Sequence, residues 1–398
     1  MSESRTSPHR IVVVGGGAGG LELATRLGDS LGASGRARVT LVDRNETHMW
    51  KPLLHEAAAG SLDVNAHQID FMAQAHWHHF DFRLGALETL DRANRTIMIG
   101  AVVDAEGLAM LPRRQVAYDT LILAIGGVSN DFGIPGVREN ASMLDSTADA
   151  ERFHRRLVAA CARANAAGET GARPDVNVVI IGAGATGVEL AAQLRDTTRV
   201  LASYGLASFD ARRQFKITLL EAFERILPQM PKRVADATAK ILATLDVDVL
   251  VNDRVVRMDG SSIVTGAGQV LGYDLAVWAA GVKAPDWLAN FGGLSTNRNH
   301  QVIVRDTLQS VDDDDVFAIG DCAQCPWPEK DTSLPPLAQA AHQQASHLAR
   351  MMKWRIDGRP LRPFCYHNYG SLVSLGEVSA VGNLMGGLIG GAMFVEGV

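Results

Sequence analysis

Short continuous apolar runs alternate along the chain with segments in which apolar residues recur every three or four positions. The first run, 11–14, leads directly into a glycine-rich turn at 15–20, and apolar residues then recur with helical spacing over 21–27. A second run, 39–42, ends at Asp43. Continuous apolar runs are typical of buried parallel strands, and a period of 3.6 is typical of helices. The pattern predicts a strand, a helix and a strand, the first half of a βαβ unit.

The same order recurs in the second half of the chain. An apolar run at 178–181 precedes a glycine-rich turn at 182–187, and a helical segment is predicted over 188–201. A further strand, 217–221, ends in glutamate, and residues 203–214 are predicted as an inserted loop between helix and strand. The chain therefore contains two copies of one strand–turn–helix–strand pattern.

A further similarity between two segments of the chain indicates internal duplication. Residues 118–126 resemble residues 273–281, because each segment is an apolar strand that runs into a turn of small residues. Repeats of this length favour duplicated domains over a solenoid. The other predicted elements are helices over 151–168, 234–245 and 337–354 and β structure over 364–375.

Composition narrows the class of protein. A chain of 398 residues with 47% hydrophobic and 21% charged residues is typical of a soluble globular protein of two or three domains. The net charge of −6 without a basic stripe argues against a nucleic-acid partner. A polar N-terminus and four scattered cysteines indicate a reducing, cytoplasmic setting. No apolar run reaches the ~18 residues of a membrane-spanning helix.

The two glycine-rich turns carry the chemistry of dinucleotide binding. Glycines at a helix N-terminus let backbone N–H groups approach a diphosphate, and an acid at the end of the next strand accepts hydrogen bonds from a ribose. The candidate residues are Gly15, Gly17, Gly20 and Asp43 in the first copy and Gly182, Gly184, Gly187 and Glu221 in the second. A carboxylate repels the extra phosphate of NADP. Glu221 therefore favours NADH over NADPH, although Arg225 nearby could soften that preference.

With its two fingerprints and a late Gly320-Asp321 pair, the chain resembles flavoproteins with two dinucleotide-binding domains. The segments that narrow the resemblance are 51–60, 338–344, 369–376 and 381–386. Together they are similar to the bacterial type II NADH dehydrogenases, which are NADH:quinone oxidoreductases. The resemblance extends from His9 to Gly397.

The resemblance implies an α/β fold with two Rossmann-like domains. The FAD-binding domain would comprise 1–140 and 284–350, with the NADH-binding domain, 141–283, inserted into it and a short C-terminal segment, 351–398. The first fingerprint, Gly320 and Asp321 would bind FAD, and the second fingerprint would bind NADH.

The implied activity is a non-proton-pumping respiratory one: NADH passes hydride to FAD, and the reduced flavin passes two electrons to a quinone. No metal site or catalytic triad is needed. The resemblance places Gln339 and Gln343 at the quinone pocket with His342 between them, and the four-residue spacing puts both glutamines on one helix face. Ala338 and Lys51 are expected beside the flavin; a solvated surface lysine is the alternative for Lys51. Glu189 either tunes charge or protons near the nicotinamide or caps the helix N-terminus.

Two other activities stay open. Sulfide:quinone oxidoreductases share the scaffold and use cysteines that are widely separated in sequence. Cys161 and Cys365 are separated in this way, although Cys161 lies in a segment typical of helix packing. A redox-sensing flavoprotein that binds NADH slowly is the second alternative, but no signalling domain is visible. Cys322 and Cys325 have a spacing that suits a redox pair or half a zinc site, yet two small buried side chains are the favoured interpretation.

The resemblance also implies contact with the cytoplasmic face of the plasma membrane and leaves open a homodimer. Family members usually continue with amphipathic helices that hold them on the membrane surface. This chain stops at Val398 before any such helix. Weak or no membrane affinity, and thus a soluble chain, is therefore expected, and the quinone pocket is the feature that a missing tail puts in doubt.

Overall fold

A computed structural model describes residues 7–172, 174–203, 208–375 and 380–384. The chain divides into two compact units. Unit 1 comprises Met1–Trp50, Gln68–Val128 and Val282–Tyr366. Unit 2 comprises Lys51–His67, Ser129–Gly281 and His367–Val398.

Unit 1 is built on a five-stranded parallel sheet. In spatial order its strands are Val316–Ala318, Thr120–Leu123, His9–Val14, Ala37–Asp43 and Asp81–Leu84. The first fingerprint strand is central, and its last residue, Val14, pairs with Leu123 on one side and Val42 on the other. These β-branched and aliphatic residues are buried on both faces, as a parallel sheet covered by helices requires.

Two helices of unit 1 matter for the site. Fingerprint helix 1, Ala18–Leu27, begins directly after the glycine turn and packs against Ala338–Ile356, which we call the glutamine helix. The other elements of this unit are the helix Phe71–Trp77 and an antiparallel sheet of Arg114–Ala117, Thr96–Ile99 and Leu87–Asp91. Short pairs join Thr47–His48 to Ile69–Asp70, Val102–Val103 to Ala109–Leu111, Val302–Ile303 to Ala323–Gln324, and Pro326–Trp327 to Thr332–Ser333.

Unit 2 repeats the architecture. Its parallel sheet has the order Ser142–Met143, Leu275–Trp278, Val176–Ile181, Phe215–Leu220 and Val247–Leu250. Ile181 ends the central strand and pairs with Trp278 and Leu220, in the positions that Leu123 and Val42 take beside Val14. Its antiparallel sheet is Val255–Met258, Ser262–Thr265 and Val270–Gly272. The helices are Leu54–Ala59, Val137–Asn140, Thr147–Glu169, Ala185–Ser203, Ala211–Gln214 and Lys232–Thr244.

The predicted α/β fold with two Rossmann-like parts is confirmed. The predicted correspondence between 118–126 and 273–281 is also confirmed, because each segment supplies the strand beside the fingerprint strand of its unit. The two units differ from the predicted domain boundaries: 51–67, 129–140 and 367–398 belong to unit 2, and 282–283 and 351–366 belong to unit 1. Which unit binds which nucleotide stays a prediction.

Two predicted elements are wrong in part. The predicted loop 203–214 includes a helical turn, Ala211–Gln214, which forms because the Asp210 carboxylate accepts the N–H groups of Arg212 and Arg213. The predicted β segment 364–375 forms a strand only over Gly370–Ser374, which pairs with Ala380–Leu384.

Residues 359–366, which we call the strap, run beside the glutamine helix without regular secondary structure. Arg359 and Arg362 lie over the Trp354 ring at 3.8 and 4.7 Å from its centroid. Phe364 packs edge-on against His347, with ring centroids 5.6 Å apart. The strap is therefore held by side chains of the helix, which explains why it forms no strand.

Among the helices of the described ranges, none has the length and apolar character needed to cross a membrane. The predicted C-terminal tail beyond 384 and the motif residues at 376 and 385–386 lie outside the described residues.

Candidate functional site

The first glycine turn contains glycines that the fold itself requires. Gly15 has φ +101°, and a Cβ there would lie 2.3 Å from the carbonyl oxygen of Ala124. A Cβ at Gly20 would lie 1.8 Å from the carbonyl oxygen of Gly15. These contacts bring strand, turn and helix together more closely than any side chain would permit.

Gly17 is a glycine of a different kind. A Cβ at this position would meet no atom within 4 Å, so the fold alone does not explain the glycine. Gly17 is the N-cap residue of fingerprint helix 1, and no side chain caps that helix end. The helix therefore presents uncapped N–H groups toward open space, which suits a diphosphate.

Asp43 ties the next strand to this turn. Its Oδ2 accepts a hydrogen bond from the N–H of Gly16 at 2.6 Å, and its Oδ1 accepts one from the N–H of Asn45 at 2.8 Å. His48, which no sequence motif indicates, donates from Nδ1 to the carbonyl of Gly16 at 2.8 Å. Burial lowers the pKa of His48, so this imidazole supports the turn as a neutral donor.

Unit 2 repeats this geometry around the second turn. Gly182 has φ +103°, and a Cβ there would lie 2.7 Å from the amide nitrogen of Ala280. A Cβ at Gly187 would lie 2.0 Å from the carbonyl oxygen of Gly182, whereas one at Gly184 would meet no atom within 4 Å. Gly184 therefore corresponds to Gly17 as a glycine that no close contact with the described residues requires.

Glu221 takes the place of Asp43 in this unit. Its Oε2 accepts the N–H of Ala183 at 2.8 Å and its Oε1 accepts the N–H of Phe223 at 3.0 Å. The guanidinium of Arg225 donates to the carbonyls of residues 227, 228 and 230, at 3.3, 2.8 and 2.9 Å. Arg225 thus holds the turn that follows the acid, and its charge is directed at backbone oxygens.

The predicted Gly320-Asp321 pair forms a helical turn in unit 1. Gly320 has φ +70°, and its N–H donates to Gln344 Oε1 at 2.7 Å. Gln301 Nε2 donates to the carbonyl of Asp321 at 2.9 Å. Gln344 is buried and was not predicted, although it follows Gln343 directly; its helical position turns it toward the pair.

The glutamine helix begins at Ala338 and carries four of the predicted residues, Ala338 itself among them. Gln339 and Gln343 are half-buried, and Gln339 Oε1 accepts a hydrogen bond from the hydroxyl of Tyr366 at 2.7 Å. His342 is exposed, and its Nδ1 lies 2.5 Å from Glu22 Oε2 on fingerprint helix 1. The structure therefore directs His342 to a carboxylate on the neighbouring helix.

Glu189 lies in unit 2, in the second turn of the helix Ala185–Ser203. Its Oε1 accepts the N–H of Ser374 at 3.1 Å, and its Oε2 lies 3.8 Å from His55 Nδ1. Burial raises the pKa of Glu189 to about 7, and the charge of Glu56 adds to that rise. The buried His55 was missed as a candidate although it lies inside the 51–60 segment, whereas Lys51 of the same segment is exposed.

The cysteines have the environment expected of packing residues. Cys322 and Cys325 are free and buried beside the Gly320 turn, and burial raises the pKa of each thiol to about 11. Cys161 is also buried, with its pKa raised to about 11 by burial, and Cys365 is exposed. The first three thiols therefore lack the thiolate character of reactive cysteines.

The chain is similar in sequence to known proteins. The family described as pyridine nucleotide-disulphide oxidoreductase matches residues 9–345. A type II NADH:quinone oxidoreductase from Haemophilus influenzae is 39% identical over 94% of this chain and 86% of its own length. Another protein of that name, from Staphylococcus epidermidis, is 28% identical over 96% of this chain and 91% of its own.

Solved structures with the same fold include NDH2 from Plasmodium falciparum in complex with NADH, with a TM-score of 0.77 and 19% identity over 94% of this chain and 90% of that one. The sulfide:quinone oxidoreductase from Aquifex aeolicus has a TM-score of 0.71 and 19% identity over 94% of this chain and 83% of that one. At these identities the likeness establishes the fold alone.

Proposed function

The chain belongs to the pyridine nucleotide-disulphide oxidoreductase family and, within it, to the type II NADH:quinone oxidoreductases, and on that basis we propose that it oxidises NADH and reduces a quinone by means of bound FAD. The observation that carries the proposal is the pair of glycines, Gly17 and Gly184, whose side-chain space is empty at the start of a fingerprint helix in each unit. One open turn would hold the diphosphate of FAD and the other that of NADH.

The residues present fit both nucleotides. In unit 1, fingerprint helix 1 would bind the FAD diphosphate, Asp43 its ribose, and the Gly320-Asp321 turn its ribityl and phosphate part. In unit 2, Gly184 and Glu221 would bind NADH. When bound, FAD supplies the chemistry, accepting hydride from NADH and delivering two electrons to the quinone. The chain itself positions the reactants, excludes water and moves protons.

Selectivity for NADH over NADPH follows from unit 2. Both oxygens of Glu221 already accept backbone N–H groups, and a carboxylate has about four acceptor positions, so it can still accept from a ribose hydroxyl. A 2′-phosphate at the same position would face this buried negative charge. The hydrogen bonds of Arg225 to backbone carbonyls hold its guanidinium at the turn that follows the acid, so it is not available to pair with a 2′-phosphate. NADPH is therefore a poor substrate.

Side chains near the reacting groups have separate roles in this proposal. Gln339 and Gln343 hydrogen-bond the quinone, and Ala338 and Lys51 lie beside the flavin. Glu189 exchanges a proton near neutral pH, which its raised pKa supports. His342, held in place by its contact with Glu22, is proposed to form one wall of the quinone pocket. From the family resemblance alone, the proposal also includes peripheral contact with the cytoplasmic face of the membrane, with the weak affinity expected for this chain, and a homodimer is left open.

The alternative activities have less support. A sulfide:quinone oxidoreductase needs reactive cysteines, but burial raises the pKa of Cys161 to about 11. The likeness to such an enzyme is one of fold, whereas the sequence relatives carry the name of the NADH enzyme. A redox sensor would bind NADH without rapid turnover.

The test is the visible spectrum of the FAD-loaded protein under anaerobic conditions. NADH should bleach the flavin band at once, and the soluble quinone ubiquinone-1 should restore it. In steady state, kcat/KM for NADPH should be at least about tenfold below that for NADH, the effect of one uncompensated charge contact.

Three other outcomes contradict the proposal. Bleaching by sulfide but not by NADH would identify the sulfide enzyme. Slow bleaching by NADH with no recovery on ubiquinone-1 would favour the sensor. A protein that retains no flavin after loading would refute a flavoenzyme of any kind.

A further inference from the structure

An exposed aromatic ring follows the acid of the second fingerprint. Phe223 lies two residues after Glu221 and is 64% exposed, whereas Leu220, the last residue of the strand before it, is buried. A phenyl ring left in water forgoes the free energy that its burial would supply. Single exposed apolar residues are common on protein surfaces, so the position of this ring relative to the binding groups decides whether it has a role.

Hydrogen bonds fix the backbone of Phe223 on both sides. Its N–H donates to Glu221 Oε1 at 3.0 Å, and its carbonyl accepts the N–H of Asn252 at 2.8 Å. The carbonyl of Glu221 accepts the N–H of Asp253 at 3.1 Å. The segment that carries the ring is therefore held in place although it has no regular secondary structure.

The carboxylate of Glu221 connects this segment to the second glycine turn. Its Oε2 accepts the N–H of Ala183 at 2.8 Å, and Ala183 precedes Gly184, the glycine whose side-chain space is empty. The glycine turn, the acid and Phe223 are thus linked in series within unit 2. In NADH the diphosphate, the adenosine ribose and the adenine are joined in the same order.

We propose that the ring of Phe223 stacks on the adenine of NADH. The proposal rests on the function proposed above, because it takes the diphosphate to lie at Gly184 and the ribose at Glu221. The base then follows the ribose on the side of the acid away from the glycine turn, where Phe223 lies. A purine carries its polar groups on its edge, so an aromatic ring can cover one of its faces without breaking hydrogen bonds.

The consequence is a division of labour along NADH. The adenine takes no part in hydride transfer, so a ring that stacks on it contributes to binding and does not act on the reacting atoms. Phe223 is therefore an affinity-determining residue for dinucleotides that carry a base. A donor that has the nicotinamide but no adenine gains nothing from this ring.

The test compares three nucleotides in the FAD-loaded protein. NADH carries the adenine, ADP-ribose carries it without a nicotinamide, and reduced nicotinamide mononucleotide carries the nicotinamide without the adenine. Phe223→Ala should raise KM for NADH about five- to tenfold, the lower part of the range for one stacked base. The Ki of ADP-ribose as a competitor of NADH should rise by the same factor, and kcat/KM for reduced nicotinamide mononucleotide should not change.

Two further variants separate stacking from general apolar contact. Phe223→Tyr keeps the ring and should keep KM for NADH, whereas Phe223→Leu keeps the apolar character without a flat face and should show most of the loss. Val270→Ala is the matched control, because Val270 is a 66% exposed apolar residue of unit 2 in the strand Val270–Gly272. It should leave the kinetics with NADH unchanged.

An unchanged KM for NADH in Phe223→Ala would overturn the proposal, as would a Phe223→Leu variant with the affinity of the wild type. Equal losses with NADH and reduced nicotinamide mononucleotide would overturn it too, because the ring would then act on the shared nicotinamide half. A wild-type protein whose flavin band is not bleached by NADH would instead refute the proposed function itself.

Discussion

Glu189 is a buried carboxyl group whose charged form the fold disfavours. Its pKa is raised by burial from 4.5 to about 7, so below pH 4.5 it is protonated in both the folded and the unfolded chain. Between pH 4.5 and 7 the unfolded chain releases this proton and the folded chain keeps it, so stability falls as pH rises. Above pH 7 the loss is complete, at about 3 kcal/mol.

Glu189→Gln should remove this loss, because glutamine is neutral and still accepts the N–H of Ser374. Urea unfolding should show the variant to be more stable than the wild type by about 3 kcal/mol at pH 8, and by less than about 1 kcal/mol at pH 5. Glu151→Gln, at an exposed position on the helix Thr147–Glu169, is the control and should show no such dependence on pH. A constant difference across this range would refute a raised pKa.

At the residue scale, the sequence predicted which residues belong to the site better than it predicted how deeply each is buried and what it contacts. Glu189 was recognised from its place after the second fingerprint, but whether it caps the helix or titrates near neutrality depends on burial by segments distant in sequence. His55 and Gln344 were missed for the same reason. The hydrogen bonds of His55 to Pro52 and of Gln344 to Gly320 go to backbone groups, which every residue carries, so no pattern of side chains points to them.

Arg195 shows how one side chain can join several elements. It is 1% exposed, and its guanidinium donates to the carbonyls of Leu245 and Asp246, both at 2.7 Å. It also donates to the carbonyls of Ala211 and Phe215, at 3.0 and 2.9 Å. The helix Ala185–Ser203 is thereby tied to a short helix, a sheet strand and the turn before another strand.

Arg195→Met should destabilise unit 2 by about 3–5 kcal/mol, because it removes every donor while the four carbonyls stay buried. The measurement is chemical denaturation followed by a signal from the folded sheet. Arg199→Met is the matched control on the same helix. The Arg199 side chain is 39% exposed in its pair with Asp196, so this change should cost no more than about 0.5 kcal/mol. Comparable losses in the two variants would show that the carbonyl contacts contribute little.

Elements with a continuous or periodic apolar pattern were predicted well. The helix expected over 151–168 is Thr147–Glu169, and the one expected over 337–354 is Ala338–Ile356. The pattern succeeds because each element buries a face of its own. It failed for the strap, where Phe364 packs against His347 of the glutamine helix and Tyr366 packs against Trp327, and neither residue pairs with a strand.

At the scale of the whole molecule, duplication was readable because both copies keep the same two kinds of glycine. Gly182 and Gly187, like Gly15 and Gly20, are required by close backbone contacts. Gly17 and Gly184 are not required by such contacts. The sequence cannot separate the two kinds of glycine, because all six occupy the same glycine motif in its two copies. The distinction needs the positions of backbone atoms from the neighbouring strand.

This distinction predicts that the two nucleotide sites can be disabled separately. An added methyl at Gly184 meets no atom of the chain within 4 Å, but it would occupy the space of a bound diphosphate. Gly184→Ala should therefore keep the fold and the flavin, and dithionite should still bleach the flavin band. Bleaching by NADH should need at least about tenfold more NADH, the cost of overpacking a close contact. Gly17→Ala should instead fold and lose its flavin.

Gly182→Ala is the contrasting variant, because its positive φ and the 2.7 Å approach to Ala280 make the methyl clash with the chain itself. It should lower the unfolding midpoint whether or not NADH is present. If Gly184→Ala were reduced by NADH as readily as the wild type, the open space at that glycine would not be where the diphosphate lies. The second turn would then be structural, and the proposed path from NADH to the quinone would lose its starting point.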